Sequence, residues 1–110
     1  MRKNPKVFLK HILNSIAAIE EYTKGISEDE FYLNRQIIDA VVRNIEIIGE
    51  ATKNLPKSIR ANTPYIPWGK MAGMRNNLIH EYFGVDKQEI WKTIKEDLPD
   101  LKKEIEILLK

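Results

Sequence analysis

Apolar residues recur along this chain at intervals of three and four, the period of helices laid against a core, and no segment shows the two-residue alternation of a strand. Pro5 suits the first position of a helix with Asn4 as its cap, and Val7, Phe8, Ile12, Ser15, Ile16 and Ile19 return on one side until Gly25, a natural stop. Ser27-Glu28-Asp29-Glu30 has the form of a capping box, with Glu30 three residues after Ser27. The helix it opens is expected to run unbroken to about Leu55, ahead of Pro56. It carries two apolar rows: Phe31, Ile38, Val41, Ile45, Ile48 and Leu55, and beside them Ile37, Ala40, Ile47 and Ala51. Two rows fit either a deeply buried helix in a monomer or a central helix that also meets a second subunit.

Pro56, Pro64 and Pro67 predict a connecting loop over residues 56–67. A third helix is expected from Trp68 to Glu81, ended by Gly84. A fourth covers Lys87 to Asp97, with Ile90, Trp91 and Ile94 as its apolar side, and Pro99 opens a last helix through Leu101, Ile105, Leu108 and Leu109. The expected architecture is all-α, an up-and-down bundle of four to five helices forming a single domain over residues 1–110.

Composition narrows the classes open to such a bundle. The chain has 110 residues, enough for one core but not two. With 43% hydrophobic and 31% charged residues it reads as folded rather than disordered. Its 18 basic and 16 acidic residues leave a formal charge of +2, so any nucleic-acid site must be a local patch. The absence of cysteine excludes disulfides, thiolate zinc sites and cysteine nucleophiles, and suits a cytoplasmic protein. The basic start is followed by an apolar run that Lys10, His11 and Asn14 interrupt. Neither a signal peptide nor a membrane span, which needs roughly 20 apolar residues, is therefore expected.

One stretch holds a set of reactive groups unmatched elsewhere. Met74-Arg75-Asn76-Asn77-Leu78-Ile79-His80-Glu81-Tyr82 places arginine, histidine and tyrosine at R-x4-H-x-Y spacing. Arginine offers phosphate a planar fork of donors and keeps its charge. Histidine exchanges a proton near neutral pH. At about 100° per residue, Met71, Met74 and Leu78 share a face suited to a core, while Gly73, Asn76 and His80 share the opposite one. Gly73 leaves that face open to a ligand or another helix, and Asn76 can hydrogen-bond the imidazole or a phosphate. Arg75 lies roughly 140° from His80 on an ideal helix, so a second copy across a two-fold axis would bring the groups together better than one helix does. Tyr82 falls beyond the expected helix end, where its hydroxyl can bond a phosphate, orient His80, or accept a modification that blocks the site. The plainer alternatives are a histidine that only complements a helix dipole, an arginine in a surface ion pair, and a tyrosine that only packs.

Other candidates carry less. His11 reads as a packing or surface residue. Glu46 and Glu50 stand one turn apart, but without a neighbouring histidine or aspartate cluster they read as an ion-paired face rather than a metal site. Gly49 inside a helix, where glycine costs about 1 kcal/mol, predicts a close helix crossing or a dimer seam. Trp68 reads as a hydrophobic anchor rather than a base-stacking platform. Tyr32 and Arg35 can border an RNA groove, without a specific signal for one.

At the motif the chain resembles the HEPN superfamily, and within it the HepT-like toxins of bacterial and archaeal toxin–antitoxin pairs. The resemblance rests on Arg75 to Tyr82, including the polar residue directly after the arginine. It extends through Asp39-Ala40-Val41, Ile48-Gly49-Glu50-Ala51, Ile66-Pro67-Trp68 and Tyr82-Phe83-Gly84-Val85-Asp86. It implies a homodimeric HEPN-like helical bundle with two motifs facing across a cleft, acting as a metal-independent endoribonuclease on cellular RNA with no cofactor for cleavage. Arg75 and His80 would be catalytic, and Asn76 a supporting residue. The resemblance also implies a type VII-like toxin whose partner is a minimal nucleotidyltransferase antitoxin (MntA-like), which in some members moves AMP from ATP to the motif tyrosine, here Tyr82. The alternatives are a non-catalytic HEPN module that binds nucleotide or scaffolds a nucleotidyltransferase, and a purely structural helical adaptor. Basic residues near the motif look few, so RNA recognition is expected to rest on shape.

Overall fold

A computed structural model of the chain describes residues 4–73 and 86–110. Helix α1 spans Pro5–Thr23. Asn4 caps it by accepting the Lys6 N–H at 2.9 Å, as the Asn4–Pro5 start predicted, and the chain leaves it through Gly25 at φ 76°. A positive φ there is the left-handed turn that glycine adopts without strain. The inward face departs from expectation at the start of the helix: Val7 is 38% exposed while Leu9, one turn before Ile12 and Leu13, is buried.

Helix α2, Glu28–Leu33, opens on the predicted capping box. Glu30 N–H donates to Ser27 Oγ at 3.1 Å, and Ser27 N–H to Glu30 Oε1 at 3.2 Å. The helix does not continue to Leu55. Asn34 turns out of helical geometry (φ −108°, ψ 91°), and its Oδ1 accepts the Ile37 N–H at 3.0 Å, capping a new helix, α3, over Arg35–Lys53. Asparagine is the residue whose short amide competes best with the helical ladder, which is why the break falls there.

The α1–α3 pair is the main packing contact of the fold, with α7 (Leu98–Leu108) laid along α1. All of the first apolar row is buried. Phe31, Val41, Ile45 and Ile48 join Ile12, Ile16 and Ile19 of α1 and Leu101 and Ile105 of α7 in one core cluster. Lys102 of α7 reaches Glu20 of α1 at 3.1 Å along its rim.

The expected loop after Pro56 contains a short helix, α4, over Lys57–Asn62. Proline lacks only the N–H that a helix start leaves unused, so Pro56 precedes the turn without obstructing it. Residues 68–73 are helical and are called α5. Trp68 is buried at its start, its Nε1–H donating to Thr63 Oγ1 at 2.9 Å, while Thr63 Oγ1–H donates to Ile59 C=O at 2.7 Å.

Helix α6, Lys87–Lys92, is capped by Asp86, which accepts the Gln88 and Glu89 N–H groups at 3.0 and 3.2 Å. The helix widens into a π turn over Thr93–Asp97 and runs directly into α7, with the Leu98 N–H bonded to the Thr93 C=O five residues back. The expected boundary at Pro99 is thus a bulge rather than a fresh start. In an unbroken α-helix the Pro99 ring would press on the carbonyl four residues earlier, and the wider turn relieves that contact. Among the described residues there is no strand, and no helix is long and apolar enough to cross a membrane.

Candidate functional site

Arg75, Asn76, His80 and Tyr82 lie outside the described residues, as do Met74, Leu78, Glu81 and Gly84. The structure does describe α5, which leads into them in the sequence. Its inward face is held by Trp68 and by Met71, which is buried as the helical wheel predicted. Among the described residues, a Cβ built on Gly73 meets nothing within 4 Å. Between them, Lys70 reaches across to the π turn, its Nζ donating to Asp97 Oδ2 at 2.6 Å. That hydrogen bond raises the Lys70 pKa above its ordinary value against the opposing effect of burial, with the charges of Asp97, Glu89 and Glu96 adding attraction. The start of α5 is therefore fixed on three sides: by the core under Met71, by the Trp68–Thr63 bond, and by the ion pair to Asp97.

Several of the weaker candidates are engaged with neighbouring side chains. Tyr32 O–H donates to Glu28 Oε1 at 3.0 Å, and its pKa is raised by desolvation first and by Glu28 next. Arg35 sits 3.7 Å from Asp39. Glu28, Asp29 and Asp39 lie near this pair, as does Lys87, whose Nζ donates to the Tyr32 C=O at 3.2 Å. Arg43 pairs with Glu46 at 3.9 Å. Among the described residues, no three His, Asp or Glu side chains gather as metal ligands would. His11 is exposed, edge-on to Phe8 at 6.5 Å, on a groove of about 280 Å³ shared with Arg43, Glu46 and Glu50. Gly49 is buried in α3. In the second apolar row, Ile37, Ala40 and Ile47 are only half-buried, and Leu33 just before them is 88% exposed.

The family model described as "Ribonuclease HepT-like" matches residues 12–108, a span that contains Arg75 to Tyr82. The chain belongs to the HepT-like ribonuclease family. A protein of Thermococcus cleftensis named a probable ribonuclease HepT is 46% identical over 110 residues, the whole of both chains. A provisionally named RNase of Caldanaerobacter subterraneus subsp. tengcongensis is 46% identical over 107 residues, covering 97% of this chain and 96% of that one. A Methanocaldococcus jannaschii protein, whose name joins a gamma-glutamylcyclotransferase to a provisional RNase, is 53% identical over 105 residues. The match takes in 96% of this chain, which thus spans about half (47%) of that longer relative's length. No solved structure matches. The HepT-like family is a HEPN family, so the resemblance carried by the motif and its flanks is upheld across nearly the whole sequence.

Two basic residues escaped the sequence reading. Lys57 and Arg60 fell in what was expected to be a loop, so nothing placed them together; α4 puts them on one short helix beside Trp68 and Gly69. The signal that would have found them is local charge rather than net charge.

Proposed function

We propose that this chain is the toxin of a type VII-like toxin–antitoxin pair, a metal-independent endoribonuclease that acts as a homodimer. The observation that carries the reading is the family match over residues 12–108, together with an intact R-x4-H-x-Y motif within it. Arg75 and His80 are the catalytic residues of the proposal, with Asn76 supporting them. The ribose 2′-oxygen attacks the adjacent phosphorus, the bond from phosphorus to the departing 5′-oxygen breaks, and a 2′,3′-cyclic phosphate remains. One proton leaves the 2′-hydroxyl and one reaches the 5′-oxygen. His80 moves a proton in this exchange as general acid or base, while the Arg75 guanidinium stabilises the charge gathering on the phosphorane oxygens.

The half-exposed row of Ile37, Ala40 and Ile47 supports the homodimer, since a helix face that its own protomer covers only in part is suited to a second copy. The partner in the proposal is a minimal nucleotidyltransferase that takes AMP from ATP and transfers it to Tyr82. Added there, AMP places bulk and negative charge where an RNA phosphate would bind, so the modified protein excludes its substrate. Cleavage itself calls on no cofactor.

Intact mass of the protein co-expressed with such a nucleotidyltransferase tests the regulation, and growth on induction tests the toxin. An AMP adduct mapped to Tyr82, with growth arrest by the unmodified chain and none by His80→Ala, is the expected result. Equal growth with wild type, Arg75→Ala and His80→Ala would overturn the toxin reading in favour of a non-catalytic module.

A further inference from the structure

From Ala51 to His80 there is no aspartate or glutamate, while Lys53, Lys57, Arg60, Lys70 and Arg75 all fall in that span. Every one of the 16 acidic residues lies outside it, so a chain of formal charge +2 is net negative elsewhere and strongly positive here. Basic residues are no denser here than in the rest of the chain, five in 30 against 13 in 80, so the positive charge comes from the absence of acids.

Among the described cations of this span, Lys57 and Arg60 share one depression. Lys70 is neutralised by Asp97. Lys57 is exposed, and Arg60 is half-buried, its Nε–H shielded from water and without a hydrogen-bond partner among the described residues. A buried donor left unpaired is rare in a folded protein and is one that a water or an ion can satisfy. Lys57 and Arg60 line a shallow depression of about 410 Å³ with Pro64, Pro67, Trp68 and Gly69, and no acidic side chain among the described residues contributes to its wall. The intervening loop carries Tyr65, 63% exposed, a large ring that stands outside the core cluster. A cationic pair, an acid-free apolar wall and an open aromatic ring together are the elements of a surface that binds single-stranded nucleic acid, where cations track phosphates and rings stack on bases.

We propose that α4 and the loop following it form a binding subsite for single-stranded RNA, with Lys57 and Arg60 receiving backbone phosphates and the Tyr65 ring receiving a base. The choice of RNA as ligand rests on the ribonuclease reading above. In the sequence the subsite precedes the motif, with Gly69 six residues before Arg75. It selects for single strands without reading sequence, because every phosphate and every base face offers the same chemistry.

The test is titration of the full-length chain into a labelled single-stranded 2′-O-methyl RNA, which cannot be cut through its 2′-oxygen, across a range of salt concentrations. Natural RNA is assayed for cleavage in parallel. Lys57→Ala combined with Arg60→Ala is expected to weaken binding about tenfold and to flatten the dependence of log K on log salt by about 0.7 for each phosphate no longer neutralised. Tyr65→Ala is expected to weaken binding by about tenfold with the salt slope unchanged. Lys103→Ala, an exposed lysine of α7, is expected to change neither. Should the Arg60 variant lower the Tm, Lys57→Ala alone, at an exposed position, carries the charge test. Equal affinity and slope in all variants would overturn the subsite, as would failure of the wild type to bind RNA. The two readings fail separately: His80-dependent cleavage with unaltered binding removes the subsite alone, whereas the expected binding pattern without cleavage removes the nuclease alone.

Discussion

Along α3, cations and anions are interleaved on the outer surface, while large aliphatic side chains of α1 and α3 fill the seam between them. Arg35 meets Asp39, Arg43 meets Glu46, and the core beneath is Ile12, Ile16, Ile19, Val41, Ile45 and Ile48. The stretch from Ala51 to His80 has no anions and one short helix where a loop was expected, and Arg60 keeps a donor without an acceptor among the described residues. The first region pairs cations with anions on its own helix, whereas in the second Arg60 keeps a donor without a partner among the described residues. A group left unsatisfied on a stable scaffold is a natural place for an external ligand. The difference separates what holds this protein together from what it presents to RNA in the proposed function.

That separation can be strained at graded points. Ile45→Ala removes a fully buried side chain from the α1–α3 seam and is expected to lower the unfolding free energy by about 2–5 kcal/mol in urea denaturation. A loss of only a few tenths would mean that the seam is not the core. Ile47 lies on the same helix, two residues on, in the half-exposed row. Ile47→Asp is expected to retain the helical circular dichroism and weaken the proposed dimer about tenfold by light scattering, an effect of about 1.4 kcal/mol. Unfolding in place of dissociation would assign the second row to the monomer core. Asn34→Ala deletes the cap between α2 and α3, with an expected cost of about 1 kcal/mol; no change in Tm would show that packing alone sets the break.

The smallest expected effect is at Lys70. Its pKa is raised in the folded chain, chiefly by the hydrogen bond to Asp97. A raised lysine pKa contributes stability that is fully present below the unfolded value of 10.5 and is lost as pH climbs through the folded value. Both partners touch solvent, so the contribution is below about 1 kcal/mol. Thermal melts above and below pH 10.5 are expected to show a larger alkaline loss for wild type than for Lys70→Met. Identical curves would remove the ion pair from the forces that seat α5.

Much of this fold is legible in the residues themselves. The Asn4–Pro5 start, the Ser27 capping box, the Gly25 stop and the buried row from Phe31 to Leu55 are all local or periodic signals, and all appear as read. What periodicity missed are interruptions that preserve the period. Asn34 breaks a helix without disturbing either apolar row, because the same residue ends α2 and begins α3. The π turn at Thr93–Asp97 absorbs Pro99 and keeps α6 and α7 continuous, although the proline reads as a boundary. Pro56 precedes α4 instead of excluding it. At the site the asymmetry runs the other way. The motif stands out through its spacing together with its flanking stretches, yet its residues lie outside those the structure describes, whereas Lys57 and Arg60 are drawn to notice when α4 brings them to one depression.

The most direct test is RNA cleavage by the purified, unmodified chain in the presence of a metal chelator, with product ends read by mass spectrometry. The proposed mechanism predicts 2′,3′-cyclic phosphate ends, no cutting of the matching DNA strand, and a drop of about 10²–10⁴-fold in rate for His80→Ala. An uncut RNA, or a cleavage rate that His80→Ala leaves unchanged, would contradict it.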